Sequence, residues 1–229
     1  TNFVKANRQL PQEADVRAVS LGVQYDGFTT NYRFNPTKGN EWQLLLSAGT
    51  KNVKKNNVIV QLTDKNDPSF NFNSLYDTIR LKSFQFRIKG YLAHYFPFGS
   101  VSTLRTAITA GWFQSPNIFR NELFQIGGYR LLRGFDEESI YASKFAVSTA
   151  EYRYLIGRNS YLFSFVDFGW AGSAASSGNR SNTFIGAGLG MALETKAGIF
   201  NISYAAGKRN DLNFNLRQSK IHFGYVNFF

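Results

Sequence analysis

The chain has 229 residues, a formal net charge of +11 and no cysteine, which removes disulfides and thiolate metal sites from consideration. Hydrophobic residues make up 43% and aromatics 17% of it, yet no run of about 18 consecutive apolar residues exists, so a transmembrane helix is excluded. Its basic residues are spread over strands and loops instead of forming a dense tract, so no nucleic-acid partner is expected.

Residues 1–14 are polar and read as an irregular lead, with residues 15–229 as one β domain. If the chain is exported, its signal peptide has been removed before Thr1. Period-two alternation starts at Val19, Leu21, Val23 and Tyr25. A second run, 28–34, ends at Asn35-Pro36-Thr37-Lys38-Gly39, a tight turn signal. Trp42, Leu44, Leu46 and Ala48 mark a third strand.

Residues 51–78 form the longest irregular stretch, with extended strand ends expected around 58–62. Its lysines Lys51, Lys54 and Lys55 suit either a solvated loop or contact with lipopolysaccharide phosphates. From Ser83 the alternation is clean: Phe84, Phe86, Ile88 and Leu92 on one face, Ser83, Gln85, Arg87 and Lys89 on the other. Charge on the second face argues against a two-sheet sandwich and for a membrane barrel with aromatic girdles and a polar interior. Phe96-Pro97-Phe98-Gly99 reads as a short turn, and the next strand presents Leu104, Ile108 and Trp112.

Residues 121–170 hold the most informative pattern. A loop with Gly127, Gly128 and then Arg133-Gly134-Phe135 leads into two alternating runs, each with one acid, Glu151 and Asp167. A hairpin with a three-residue turn (Arg158, Asn159, Ser160) sets Gly157 opposite Tyr161 and Glu151 directly opposite Asp167, on one face. Facing carboxylates repel. Arg133 is the natural cation to fork between them. Alternative readings of the pair are a metal or acid-base site, for which Arg133 would compete.

Residues 173–182 read as a Gly/Ser/Ala loop. The following strand carries Ile185, Ala187, Leu189, Met191 and Leu193 on one face and Gly186, Gly188 and Gly190 on the other, which leaves room there for the arginine loop. Residues 199–206 and 217–229 complete the set, the last strand ending on Phe229 with Ile221, Phe223 and Tyr225 on its face. In all, ten to twelve antiparallel strands are expected. The histidines, His94 and His222, lie in different runs, and neither HExxH, a nucleophile elbow nor a phosphate-cradling loop is present.

The run GGYRLLRGF, followed by AEYRY and FVDFG, resembles the C-terminal barrel of the BamA/TamA/FhaC superfamily, the outer-membrane surface-antigen barrels that insert or translocate proteins. The resemblance covers residues 112–229. It departs at Ala146 and Ser148, where the family often has glycine. By position, Arg133, Gly134 and Phe135 match the family's inward-folded loop tip, Glu151 the acid of the next strand, and Asp167 with the strand-turn glycine Gly169 the second. The Pro36 to Gly39 turn is similar to the family's early periplasmic turns, and terminal Phe229 to its outer-membrane assembly signal.

What the resemblance implies is an all-β, antiparallel transmembrane barrel of the bacterial outer membrane without POTRA modules. It would help to insert or translocate protein or lipid through a pliable seam, with no catalytic residues, cofactor or metal. Expected partners are outer-membrane lipids and lipopolysaccharide, and the assembly machinery during biogenesis. A passive solute channel and, less strongly, an outer-membrane lipid hydrolase are the alternatives. The loop resembles one that sits inside sixteen-strand barrels, whereas ten to twelve strands leave a narrow interior. Since an open sheet edge is costly in lipid, a homodimer that shares strands is expected.

Overall fold

The computed structural model describes residues 2–64, 67–175, 178–212 and 216–227. The lead is helical at α1 (Asn2–Asn7), not irregular throughout, because Val4 is drawn into a cluster with Ile59, Phe72 and Tyr76. The chain then forms β1 (Val16–Phe28), β2 (Gly39–Val53), a short α2 (Asn57–Val60), β3 (Lys82–Phe98) and β4 (Ser102–Gln114). It leaves the sheet for the small pair β5 (Phe124–Ile126) and β6 (Ile140–Ala142). It returns as β7 (Lys144–Leu155), β8 (Tyr161–Ala175), β9 (Gly178–Thr195), β10 (Gly198–Arg209) and β11 (Lys220–Val226).

Eleven strands are thus present among the described residues, but nine make the main sheet, in the order β1-β2-β3-β4-β7-β8-β9-β10-β11. Every pairing is antiparallel. Among the described residues β1 pairs with β2 alone and β11 with β10 alone, so these two strands are the ends of the sheet. Among the described residues no helix is long and apolar enough to cross a membrane.

Strand parity divides the sheet into two faces. One is open, and it carries an apolar band through consecutive rows such as Val23, Leu46, Ile88 and Trp112, or Leu162, Met191, Ile202 and Phe223. Leu21 is 84% and Phe84 79% exposed on it. Exposed apolar area on this scale marks a surface made for a nonaqueous neighbour.

From β2 onward the other face is largely covered by the chain's own connections, whereas β1 is exposed on it from Ala18 to Asp26. This face was expected to be polar, but only its middle is. Toward the long connections Phe113, Phe145, Val147 and Phe184 pack with Leu123, Phe124, Ile126 and Leu132 of the β4 to β7 connection. Toward the short ones Tyr161, Phe163 and Phe165 pack with Phe34. Apolar residues at covered-face positions are stable there because a folded-back segment removes them from water.

Several local expectations are corrected. Residues 29–34 are not a strand: the Asn31 side chain takes hydrogen bonds from the Thr37 and Lys38 amides, and Phe34 turns onto the covered face. Residues 58–62 begin in α2, whose N-cap Asn56 accepts from the Val58 amide. Phe96, Pro97 and Phe98 remain in β3, and the turn falls at Gly99, with φ +65°. The 173–182 loop is a continuation of β8 and β9, paired from Ser173 with Arg180 to Ala175 with Gly178, while residues 176 and 177 lie outside the described residues. The last strand starts at Lys220, not Arg217, since 216–218 form a 3-10 turn. Phe229 lies outside the described residues, and so does Phe228.

Candidate functional site

The β4 to β7 connection folds onto the covered face, and its backbone explains its glycines. Gly127 (φ +111°), Gly128 (φ +100°) and Gly134 (φ +93°) all occupy the left-handed region. Leu132 does too, at φ +64°, an unusual state for a branched side chain. It is held there by complete burial against Gly169, where any Cβ would press on the Leu132 methyls. Gly169 therefore serves as a floor in mid-strand, paired with Val147 and Phe184, and not as a strand-turn residue.

At the base, the Glu138 amide donates to the Gly127 carbonyl (3.2 Å) and the Tyr129 amide to a Glu137 carboxylate oxygen (2.9 Å). Tyr129 reaches across to lie over Gly224 of β11, and burial pushes its phenol up to about 12. The tip lies on β9 and β10. A Cβ on Gly186 would overlap the Arg133 carbonyl oxygen, and one on Gly134 would meet the backbone of Ala206 and Gly207. Phe135 packs edge to face on Phe184 at 5.3 Å between centroids. Of the three strand glycines expected to make room for the loop, Gly186 does so. Gly188 and Gly190 instead lie beneath the rings of Phe165 and Phe163.

Arg133 projects between the two acids. Its Nε and Nη2 donate to the two oxygens of Asp167, each at 2.9 Å, and its Nη1 donates to Glu151 Oε2 at 2.5 Å. The Arg133 amide adds a further bond to Asp167 (2.9 Å), and Thr149 Oγ1 donates to the same carboxylate at 2.8 Å. The guanidinium carbon stacks 3.4 Å from the centroid of Phe165. All three charged residues are buried, Asp167 completely. Such a cluster persists only because nearly every polar atom is answered.

The register differs from the one expected. Glu151 faces Phe165, and Asp167 faces Thr149, so the acids are diagonal neighbours and not directly opposite. Five residues, 156–160, separate the last pair, Leu155 and Tyr161, and the Ser160 carbonyl accepts from both Ile156 and Gly157 amides. The shift is two residues, and the shared face survives because side chains repeat every two.

Two participants in the cluster and one separate buried pair escaped the sequence reading. Arg153 Nε donates to the second Glu151 oxygen (2.8 Å), and its Nη1 donates to Asn35 of the β1 to β2 connection (3.1 Å). Its position two residues after Glu151 was the available signal. His222 of β11 accepts the Gly134 amide at Nε2 (3.1 Å). Its cross-strand partner is Ser203, but with Nε2 engaged by a backbone donor this pair is not set as a nucleophile and base. The third is Lys51. Far from reaching out to lipopolysaccharide, it is fully buried, bonded to both Glu122 carboxylate oxygens (2.7 and 2.8 Å) and to the Asn117 carbonyl. Lys54 pairs with Asp15 at 3.6 Å, and Lys55 donates to Asn73.

Beside the cluster lies a cavity of about 420 Å³, bordered by Lys89, Arg105, Arg130, Tyr91, Tyr95 and Tyr129 as well as by the loop. Its lining carries more cations than acids. No group of three metal-ligating side chains occurs among the described residues.

The family model for the Omp85 superfamily domain matches residues 5–229. No curated protein matches the chain.

Proposed function

The chain belongs to the Omp85 superfamily, and from this premise we propose that it is an outer-membrane barrel that assists insertion or translocation of protein or lipid. The observation that carries the reading is that β1 and β11, the ends of the sheet, have no strand partner on their outer sides among the described residues. In lipid those backbone edges must be satisfied, either by each other, by a second copy or by an incoming strand. A seam that can exchange between such partners supplies the work without covalent chemistry. The apolar open face supports placement in a bilayer, with the long connections outside and the short ones on the periplasmic side.

In this reading the Arg133 loop is a brace inside the barrel. Its anchors are Glu151 on β7 and Asp167 on β8, its resting place is β9 and β10, and it reaches β11 through His222 and Tyr129. It thereby links the fixed middle of the sheet to one side of the seam.

The test is reconstitution of the full chain in liposomes with a urea-denatured outer-membrane barrel as client. Faster client folding than in empty liposomes is expected, and no acceleration over a range of protein densities would reject assistance. A second reading, a passive channel for small solutes, is favoured by the cation-rich cavity beside the loop. It predicts stable single-channel conductance that prefers anions, without any effect on client folding.

A further inference from the structure

The open face differs from one end of its strands to the other. Where the long connections leave, Arg17 of β1, Asn52 of β2 and Lys82 of β3 stand in one register row, and Arg80 comes just before β3. The next row inward is Val19, Thr50 and Phe84, followed by Leu21, Ala48 and Phe86. A groove of about 1070 Å³ runs over both zones, lined by these three cations and by Val19, Phe84 and Phe86. At the opposite end the open face presents Phe96, Phe98, Tyr152, Tyr154 and Tyr225, and no lysine or arginine occupies an open-face strand position there among the described residues.

All three cations are exposed, and the ion pairs of the described residues engage other partners. Arg17 and Lys82 are two strands apart, roughly 10 Å at the backbone. Among the described residues no ion pair answers their mutual repulsion, at the border of a surface that itself avoids water.

We infer that this groove binds a phosphorylated membrane lipid, with its phosphates at Arg17, Arg80 and Lys82 and its acyl chains along Val19, Phe84 and Phe86. An arginine fork matches phosphate oxygens and a lysine supplies a mobile point charge. Free phosphate would neutralise the cations but leave the aromatic floor wet. An amphiphile with both parts answers both demands at once, and the charge placement selects the leaflet on the side of the long connections. The inference rests on the membrane reading of the open face, but not on assistance to clients.

Native mass spectrometry of the detergent-folded full chain is the test, with three probes: diphosphorylated lipid A, the same glycolipid after dephosphorylation, and inorganic phosphate. The diphosphorylated form should be retained, the dephosphorylated form should not, and inorganic phosphate should not compete at equal concentration. Combining Arg17→Gln, Arg80→Gln and Lys82→Gln should weaken retention roughly a hundredfold, from about 1 kcal/mol for each basic side chain. Lys54→Gln with Lys55→Gln should leave it unchanged.

Equal retention of both glycolipids, competition by inorganic phosphate, or an equal loss from the Lys54 and Lys55 pair would overturn the site. A chain that stays folded and heat-modifiable in detergent but retains no glycolipid rejects this inference alone. A chain that is monomeric and folded in water without detergent rejects the membrane reading beneath it.

Discussion

Glu151 and Asp167 share a face of one hairpin without facing each other: Phe165 stands opposite the first and Thr149 opposite the second. The diagonal placement lets a single guanidinium enter between them, taking two bonds to Asp167 and one to Glu151. It also leaves Phe165 beneath the guanidinium plane and Thr149 free to bond Asp167. With the acids directly opposed, one row would hold both charges and neither support.

Arg133→Ala leaves two buried carboxylates without their shared cation, although Arg153 still reaches Glu151. The expected loss is about 3 to 5 kcal/mol, read as a fall in the denaturant midpoint of detergent-folded protein. Arg133→Lys should recover only part of it, since an ammonium cannot fork between two acids. An unchanged midpoint in Arg133→Ala would show that the cluster contributes nothing net.

Two glycine substitutions separate docking of the loop from strand propensity. Gly186→Ala places a methyl on the Arg133 carbonyl and should cost about 1 to 3 kcal/mol while loosening the loop toward protease. Gly90→Ala meets nothing within 4 Å and should stay within about 0.5 kcal/mol of the parent. Similar effects at both positions would mean that the loop does not rest on β9.

Lys51 and Glu122 tie β2 to the β4 to β7 connection through a pair of which the lysine side chain is wholly buried. Lys51→Met should therefore destabilise by about 3 to 5 kcal/mol by stranding the acid, and Lys51→Met with Glu122→Gln should recover much of that loss. A double-mutant cycle in urea measures the coupling. Additive losses would assign the lysine's contribution to packing of its stem.

We propose Phe229 as an assembly signal, and its deletion is the test. Delivery to the outer membrane in cells should fall more than refolding yield in detergent, because a recognition signal acts only where the machinery is present. Equal losses in the two settings would assign Phe229 a packing role.

Among the described residues the outer sides of β1 and β11 have no strand partner, and this leads us to propose a homodimer in which each chain completes the other's barrel. Detergent-corrected light scattering on the folded protein should give twice the mass of one chain. A monodisperse monomer would reject strand sharing and leave closure of β1 on β11 within a chain.

The strand class, the two faces and the shared face of Glu151 and Asp167 could be read from the sequence, because each depends on parity alone, whereas the return of Arg133 to that face followed from the resemblance of its loop. Side chains on a strand repeat every two residues whatever lies elsewhere, so a register error of two, as occurred in the β7 and β8 hairpin, leaves every facing assignment intact. What depends on distant partners was not legible. Phe34 left its expected strand for Tyr161 and Phe163, Lys51 turned from the loop surface to Glu122, and Asn35 came to Arg153 from 118 residues away. Polar and small residues that read as loop at 173–175 and 178–182 became strand because β8 and β9 supply each other's ladder there. Local sequence states which face a side chain takes and how freely the backbone turns; only the folded chain decides which segment comes back to cover that face, since burial energy is set by whatever neighbour removes the water.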